Sequence, residues 1–131
     1  MDTTPSVPAA EPKRSGLKSL FSFNGRSRRS TYWAIMLTTY FLCFLAEEFL
    51  TAAEQTWDES TVGLMAIGVL VLGLAAIWAY LATVTRRFHD LGKSGWYILF
   101  FCVPIANLIF SIYVAFFKGM ERDNEYGPNP Y

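Results

Sequence analysis

Histidine and cysteine are scarce in this chain, and their placement excludes the common metal and redox sites. His89 is the single histidine, and Cys43 and Cys102 each lie alone inside an apolar run. Zinc needs three or four clustered ligands, and a redox pair needs two cysteines close together. We therefore predict no metal site and no cofactor. We expect both cysteines to act as small buried hydrophobic residues.

Charge is missing from long stretches of the chain. Hydrophobic residues make up 53% of the composition and charged residues 17%, and the apolar residues are concentrated in runs at 31–50, 62–85 and 96–117. A helix of 20 residues is about 30 Å long, which matches the hydrocarbon core of a bilayer. A soluble three-helix core is disfavoured, because a helix that is apolar on all sides has no face left for water. The sequence predicts an all-α membrane protein with three hydrophobic helical segments.

Basic residues are absent between the first and second runs, where the charged residues are Glu54, Asp58 and Glu59. Arg86, Arg87 and Lys93 follow the second run. The basic residues before the first run are Lys13, Arg14, Lys18, Arg26, Arg28 and Arg29. Because the Lys/Arg bias of short loops sets orientation, we predict a cytoplasmic N-terminus and a cytoplasmic 85–97 loop, with the acidic loop outside.

The N-terminal region differs in composition from the rest of the chain. Residues 1–16 are rich in proline, alanine and threonine, have no apolar core of a signal peptide, and are predicted to be a disordered tail. Residues 17–131 are predicted to form a single helical membrane domain that ends in a tail at 118–131. A short interfacial helix is expected near Leu20, followed by a turn at Asn24 and Gly25.

The polar stretch "TRRFHDLGKSGWY" at 85–97 lies between two apolar runs. We expect Arg86 and Arg87 to emerge at the surface, with Asp90 one turn further on. One interpretation makes these residues topology anchors and a turn, and the other makes them a contact site for lipid headgroups or a partner protein. The candidate contact residues are Arg26, Arg28, Arg29, Arg86, Arg87, His89, Asp90, Lys93 and Trp96.

Catalysis is not expected at this stretch. No serine, cysteine or second carboxylate is placed to form a nucleophile and base with His89. We therefore predict that the chain is not an enzyme.

The first run carries a slightly polar stripe at helical spacing, formed by Thr39, Cys43 and Glu47. A carboxylate inside a membrane is a functional candidate, so Glu47 is a candidate for an ion path. However, Glu47 lies about 24 Å along the helix from residue 31, which would place it near the outer surface and water. A solvated helix end is the alternative.

Pro104 and Asn107 interrupt the third run, and two arrangements are left open. A helix kinked at Pro104 could cross the membrane and leave the tail outside, which the length and the lack of charge favour. A re-entrant hairpin would return the tail to the cytoplasm, which Lys118 and Arg122 favour. The hairpin would gather the polar motifs on one face.

Three motifs carry a family resemblance: "FSFNGRSRRSTYW", "RRFHDLGKSGWY" and "NEYGPNP", in this order and separated by apolar runs. Together they resemble the small bacterial inner-membrane proteins grouped as domain of unknown function 805. The resemblance implies a multi-pass protein of the bacterial inner membrane and no assigned activity. The motif positions it matches are Gly25, Arg26, Arg29, Tyr32, Trp33, Arg86, Arg87, His89, Asp90, Gly92, Ser94, Gly95, Trp96, Asn124, Tyr126, Gly127, Pro128 and Pro130. Glu125 and Asn129 depart from the family pattern, which has a basic residue and an aspartate there.

Taken together, these features predict a small helical scaffold or accessory subunit. Its basic cytoplasmic face would bind anionic lipid or a partner protein, and its partners would be membrane lipids and a membrane protein or further copies of itself, with no nucleic acid. The alternative is a component of an oligomeric transporter or channel that uses Glu47 and the Thr39/Cys43 face.

Overall fold

A computed structural model describes residues 16–131, apart from the side chain of Leu17. The predicted disordered tail therefore lies outside the described residues, except for Gly16. The helices are α1 (Gly16–Leu20), α2 (Arg29–Thr56), α3 (Glu59–Asp90), a 3-10 helix (Gly95–Cys102) and α4 (Pro104–Phe116). No strand occurs among residues 16–131, which confirms the predicted all-helical class.

Helices α2 and α3 pack against each other as a long antiparallel pair, joined at Trp57 and Asp58. They contain 28 and 32 residues, so they extend for about 42 and 48 Å. Both are longer than the predicted spans, because the polar residues at each end continue the helix. At the joint the Asp58 side chain accepts a hydrogen bond from the backbone N–H of Thr61 and caps α3.

The pair turns its apolar side chains outward. In the most apolar 18-residue stretch of α2 no residue is buried inside the protein, and in the corresponding stretch of α3 6% of the residues are buried. Leu64 and Leu72, for example, are both 73% exposed. Such a surface is far larger than a water-soluble monomer exposes, and acyl chains would solvate it. Cys43 on α2 and Cys102 at the end of the 3-10 helix are both exposed, so the prediction that the protein buries them is wrong.

The third apolar segment is broken in two. The 3-10 helix ends before Val103, and Pro104 is the first residue of α4. Proline is favourable at this position, because the N–H of a first helical residue has no partner within the helix. The chain reverses there, and the ring of Phe100 stacks on that of Phe110 with 4.8 Å between centroids. The predicted single helix kinked at Pro104 is therefore wrong.

Both ends of this hairpin lie beside the C-terminal end of α3. Gly95 lies against Thr85 and His89, and the carbonyl of Val114 accepts a hydrogen bond from Arg87. The tail at 118–131 continues across the same end and contacts Arg26, which precedes α2. We call this part of the molecule the motif end. Its core is formed by Tyr32, Val84, Phe88, Val114 and Ala115.

The chain ahead of α2 packs on α3 at the motif end. The indole N–H of Trp78 donates to the carbonyl of Phe21 at 3.4 Å, and the ring of Phe23 meets Trp78 edge-on. Gly25 has φ of +93°, which confirms the turn predicted at Asn24 and Gly25. This turn directs the following arginines toward the end of α3.

Candidate functional site

Asp90, at the end of α3, is the centre of the motif end, and its side chain is fully buried. Oδ1 of its carboxylate accepts from Nε of Arg26 at 3.0 Å and lies 2.8 Å from Nη2 of the same guanidinium. Oδ2 accepts from the hydroxyl of Tyr131 at 3.1 Å and from Nη1 of Arg87. One carboxylate thus joins the first two polar motifs and the tyrosine that follows the third. We call Arg26, Arg87, Asp90 and Tyr131 the Asp90 cluster.

Arg87 is also completely buried, and it connects the cluster to α4. Its Nε donates to the carbonyl of Val114 at 2.9 Å, and its Nη2 donates to the carbonyl of Phe117. The last carbonyls of a helix have no partner within the helix and carry the negative end of its dipole. The buried Arg87 cation pairs with these carbonyls and balances the negative end of the dipole.

Two further side chains complete the cap on α4. Trp33 donates its indole N–H to the carbonyl of Ala115 at 3.2 Å, and Arg29 donates to that of Phe116 at 3.3 Å. With the two bonds from Arg87, all four carbonyls from 114 to 117 are paired. The end of α4 is therefore held by side chains from α2 and α3.

The tail is fixed to the cluster through its backbone. Arg26 donates to the carbonyls of Met120 and Arg122, and the N–H of Met120 donates to the carbonyl of Asp90 at 2.8 Å. Gly119 is buried against the Asp90 carboxylate, and a Cβ added there would overlap the carboxylate oxygens. Only glycine leaves room for this approach.

The exposure predicted for Arg86 and Arg87 is wrong, although the predicted pairing of Arg87 with Asp90 is present. Arg86 is 7% exposed and folds back along α3, where Nε donates to the carbonyl of Ala82 and Nη2 to the hydroxyl of Thr83. The helix does not end in solvent at these residues, because the tail covers its last turn.

His89 precedes Asp90 on α3 and contacts other parts of the chain. Its Nδ1 bonds the carbonyl of Gly25 at 3.2 Å, so Nδ1 carries the proton in this bond. The ring of Tyr126 stacks on the imidazole with centroids 4.0 Å apart, and Asn124 donates to the carbonyl of His89 at 2.8 Å. Desolvation, with a further contribution from the Glu125 carboxylate, raises the pKa of Tyr126.

An open groove of about 590 Å³ runs beside His89. We call it the His89 groove. It is lined by Phe23, Leu81, Thr85, His89, Ser94, Gly95, Trp96, Ile98 and Tyr126. Trp96 is 77% exposed at its edge. Residues from the start, the middle and the end of the chain therefore share one concave surface.

The remaining predicted contact residues are exposed. Arg28 and Arg29 lie on the surface before and at the start of α2, and Lys93 lies in the loop after α3. Arg28 is tethered to the tail through the carbonyl of Pro130. Glu47 is exposed on α2 in the outward-facing region and lies about 27 Å along the helix from Arg29. Its role in an ion path stays a prediction.

Sequence reasoning named the motif residues but missed what the tail does. Tyr131, Gly119 and Met120 contact Asp90, yet none was a candidate. The available signal was the "NEYGPNP" motif, whose Asn124 and Tyr126 pack on His89. Among residues 16–131, no group of three His, Cys, Asp or Glu side chains is placed to hold a metal ion.

Comparison with known proteins identifies the family. The family described as "Protein of unknown function (DUF805)" matches residues 20–128. Inner membrane protein YhaH of Escherichia coli (strain K12) is 27% identical over 114 residues, which cover 87% of this chain and 91% of that protein. Inner membrane protein YhaI of the same strain is 29% identical over 116 residues, covering 87% of this chain and 90% of that protein.

No solved structure shows a significant match to the chain. The family match confirms the resemblance that the three motifs indicate, and the relatives agree with the long outward-facing apolar helices. The chain therefore belongs to the DUF805 family of proteins of unknown function, and it is a protein of the bacterial inner membrane.

Proposed function

We propose that the chain is a small helical scaffold or accessory subunit of the inner membrane. The observation that carries this proposal is the closed Asp90 cluster. The polar groups of Asp90 and Arg87 are bonded to other parts of the same chain, which favours a role in holding a fixed shape over a role in chemistry. A general acid, base or nucleophile needs an atom within reach of a substrate.

The energetics of the cluster support a structural role. Two guanidinium groups and one carboxylate are removed from water, and each loses several kcal/mol of solvation. Their attraction and their hydrogen bonds to tail and α4 carbonyls offset that cost only when the geometry is maintained. The cluster therefore makes the docking of the tail specific as well as stable.

The basic surface proposed for binding carries the exposed Arg28, Arg29 and Lys93, which we call the basic patch. Arg86 and Arg87 no longer belong to it, because both are buried. Each exposed Lys or Arg near an anionic leaflet contributes about 1 kcal/mol of attraction. The patch would hold the motif end against anionic lipid or against an acidic surface of a partner protein.

The proposed orientation places the motif end in the cytoplasm. The Lys/Arg-rich residues before α2 and after α3 would face inward, and the acidic turn at Asp58 would face the periplasm. In this orientation the 3-10 helix and α4 form a re-entrant hairpin, and the tail returns to the cytoplasmic side. The two long helices would be the membrane-spanning elements.

Lipid titration tests the basic patch. Detergent-purified protein would be titrated with fluorescent phosphatidylglycerol at low and high salt, and a triple variant with Arg28, Arg29 and Lys93 changed to glutamine would be compared with the wild type. We expect the triple variant to bind at least about tenfold more weakly at low salt.

The matched control is Lys118→Gln, since this lysine is exposed and already paired with Glu121. It should leave the affinity unchanged. Unchanged phosphatidylglycerol binding by a folded triple variant would refute the lipid-binding role of the patch. Crosslinking from Lys93 in native membranes then tests for a protein partner at the same surface.

A further inference from the structure

The walls of the His89 groove change in polarity along its length. Leu81, Thr85 and His89 are spaced four residues apart on one face of α3, in steps of about 6 Å. The hydroxyl of Thr85 donates to the carbonyl of Leu81 at 3.0 Å. Because this hydroxyl proton is already bonded within the helix, the wall between Leu81 and Thr85 is largely apolar. The groove is therefore apolar toward the middle of α3 and polar at the motif end. A phospholipid that lies along a membrane helix has the same order of acyl chain and headgroup.

The polar end of the groove offers a hydrogen-bond acceptor. Because Nδ1 of His89 donates to Gly25, the neutral ring has Nε2 as a lone-pair acceptor. Nε2 lies beside Gly95, where an added Cβ would be 3.2 Å from it, so this nitrogen belongs to the groove wall. The hydrogen bonds of the described residues include no donor to Nε2.

The same end also carries a negative charge and aromatic faces. The exposed Glu125 directly precedes Tyr126, whose ring stacks on His89, and its carboxylate favours the protonated form of both side chains. Tyr126 covers one face of the imidazole, and the rings of Phe23 and Trp96 line the groove. An acceptor nitrogen, a carboxylate and aromatic rings together match a cation that has N–H donors.

We infer that the His89 groove binds one phospholipid with a primary ammonium headgroup, of the phosphatidylethanolamine class. The ammonium would lie between Glu125 and Nε2 of His89, and an acyl chain would follow Leu81 and Ile98. This site would recognise the ammonium of a zwitterionic headgroup, which the basic patch does not attract, so it goes beyond the proposed function and does not depend on it.

Native mass spectrometry of the full chain in detergent tests this inference. Phosphatidylethanolamine, phosphatidylglycerol and the trimethylated phosphatidylcholine would be titrated separately with matched acyl chains. We expect one phosphatidylethanolamine to bind more tightly than either other lipid. Glu125→Gln should weaken that binding by about two- to fivefold, as expected for one partly exposed charge pair, and should leave phosphatidylglycerol binding unchanged.

Two variants separate the site from general effects. Glu121→Gln removes the same charge four residues away in the tail, where the carboxylate pairs with Lys118, and it should bind phosphatidylethanolamine as the wild type does. Leu81→Trp should fill the apolar end of the groove and weaken binding by at least about tenfold, while its thermal unfolding temperature shows that the chain still folds.

Each remaining outcome decides the inference. Equal binding of the three lipids, or full binding by a folded Leu81→Trp variant, would show that lipid binds only non-specifically to the apolar helix surfaces. Either result would overturn the inference. A preference for phosphatidylglycerol would overturn the assigned headgroup. Soluble phosphoethanolamine distinguishes the source of the ammonium: if it binds as tightly as the lipid, the acyl chain contributes nothing and the groove is assigned to a soluble ligand, which would refute the lipid.

Discussion

At the scale of single residues, Asp90 has the most demanding position in the chain. It is fully buried between Arg26 and Arg87, and its two oxygens accept from donors that lie far apart in the sequence. A buried charge that loses its partner costs more than the pair contributed, because the remaining charge stays desolvated. Substitutions at this residue should therefore be much more damaging than substitutions of exposed charges.

We predict that Asp90→Asn lowers the free energy of unfolding by about 3–5 kcal/mol, because it leaves the Arg26 and Arg87 guanidinium groups without a counter-charge. The measurement is denaturant unfolding in mixed micelles, followed by circular dichroism. Glu121→Gln serves as the control, since its ion pair with Lys118 is exposed to solvent and should contribute nothing measurable. A loss in Asp90→Asn of less than about 1 kcal/mol would contradict the buried cluster.

A second residue-scale prediction concerns Gly119, whose missing side chain lets the tail reach Asp90. Gly119→Ala should cost about 1–3 kcal/mol through overpacking and should release the tail, so trypsin would cut faster at Lys118 and Arg122. Gly63→Ala is the control, because nothing lies within 4 Å of a Cβ at that exposed helical position. It should stabilise α3 by about 0.5–1 kcal/mol. An equally protected tail in both variants would contradict the close approach.

At the scale of helices, the sequence predicts the two long helices and their class well, underestimates their length, and predicts chain direction poorly. The runs that became α2 and α3 are long, apolar and uninterrupted, so their hydropathy alone indicates helices that can span a bilayer. The third run is equally apolar whether it crosses or reverses. Its reversal depends on contacts such as the Phe100 and Phe110 stack, which join residues that no local pattern pairs.

At the Asp90 cluster, too, the sequence predicts the residues better than their contacts. The arginines and Asp90 were candidates, because their charge stands out among apolar residues. Their burial was missed, because it depends on the tail covering the last turn of α3. Spacing along one helix predicts the Arg87 and Asp90 pair, whereas the partnership of Asp90 with Tyr131 requires the whole fold.

The cap of α3 yields a prediction about pH. Hydrogen bonds from Thr61 lower the pKa of Asp58 below its ordinary value near 4. A lowered folded pKa means that the cap contributes fully above the unfolded pKa and is lost as pH falls through the folded pKa. The wild type should therefore lose helix stability below about pH 4. Thermal scans across pH measure this loss.

Two substitutions at Asp58 isolate this effect. Asp58→Asn retains a good N-cap without a titrating group, so it should remove the contribution of this residue to the acid dependence and keep stability at neutral pH. Asp58→Ala should be less stable already at neutral pH. Identical pH profiles for the wild type and Asp58→Asn would contradict the role of the carboxylate.

At the scale of the whole molecule, the fold separates two ends with different character. The motif end contains the buried core and the ion pairs, while the far halves of α2 and α3 present apolar side chains on their outer faces. The proposed orientation predicts that the tail and the 85–97 loop share the cytoplasm and that the turn at Asp58 lies in the periplasm.

Cysteine labelling tests this orientation. In a background with Cys43 and Cys102 changed to serine, single cysteines at Lys93 and at Glu125 should react with an impermeant reagent only after the cells are permeabilised. A cysteine at Glu54 should react in intact cells. Labelling of position 125 from outside, with position 93 protected, would show that the hairpin does not return the tail.

The reach of Asp90 along the chain also has a consequence for biosynthesis. It bonds Arg26, which precedes it by 64 residues, and Tyr131, which follows it by 41. While the tail is still inside the ribosomal exit tunnel, the arginines and the aspartate have no cover, although both long helices can already have entered the bilayer. The Asp90 cluster thus closes only after residues 118–131 have left the tunnel, and a chain that stalls before they emerge would offer surveillance proteases an unsealed, charged surface at the membrane.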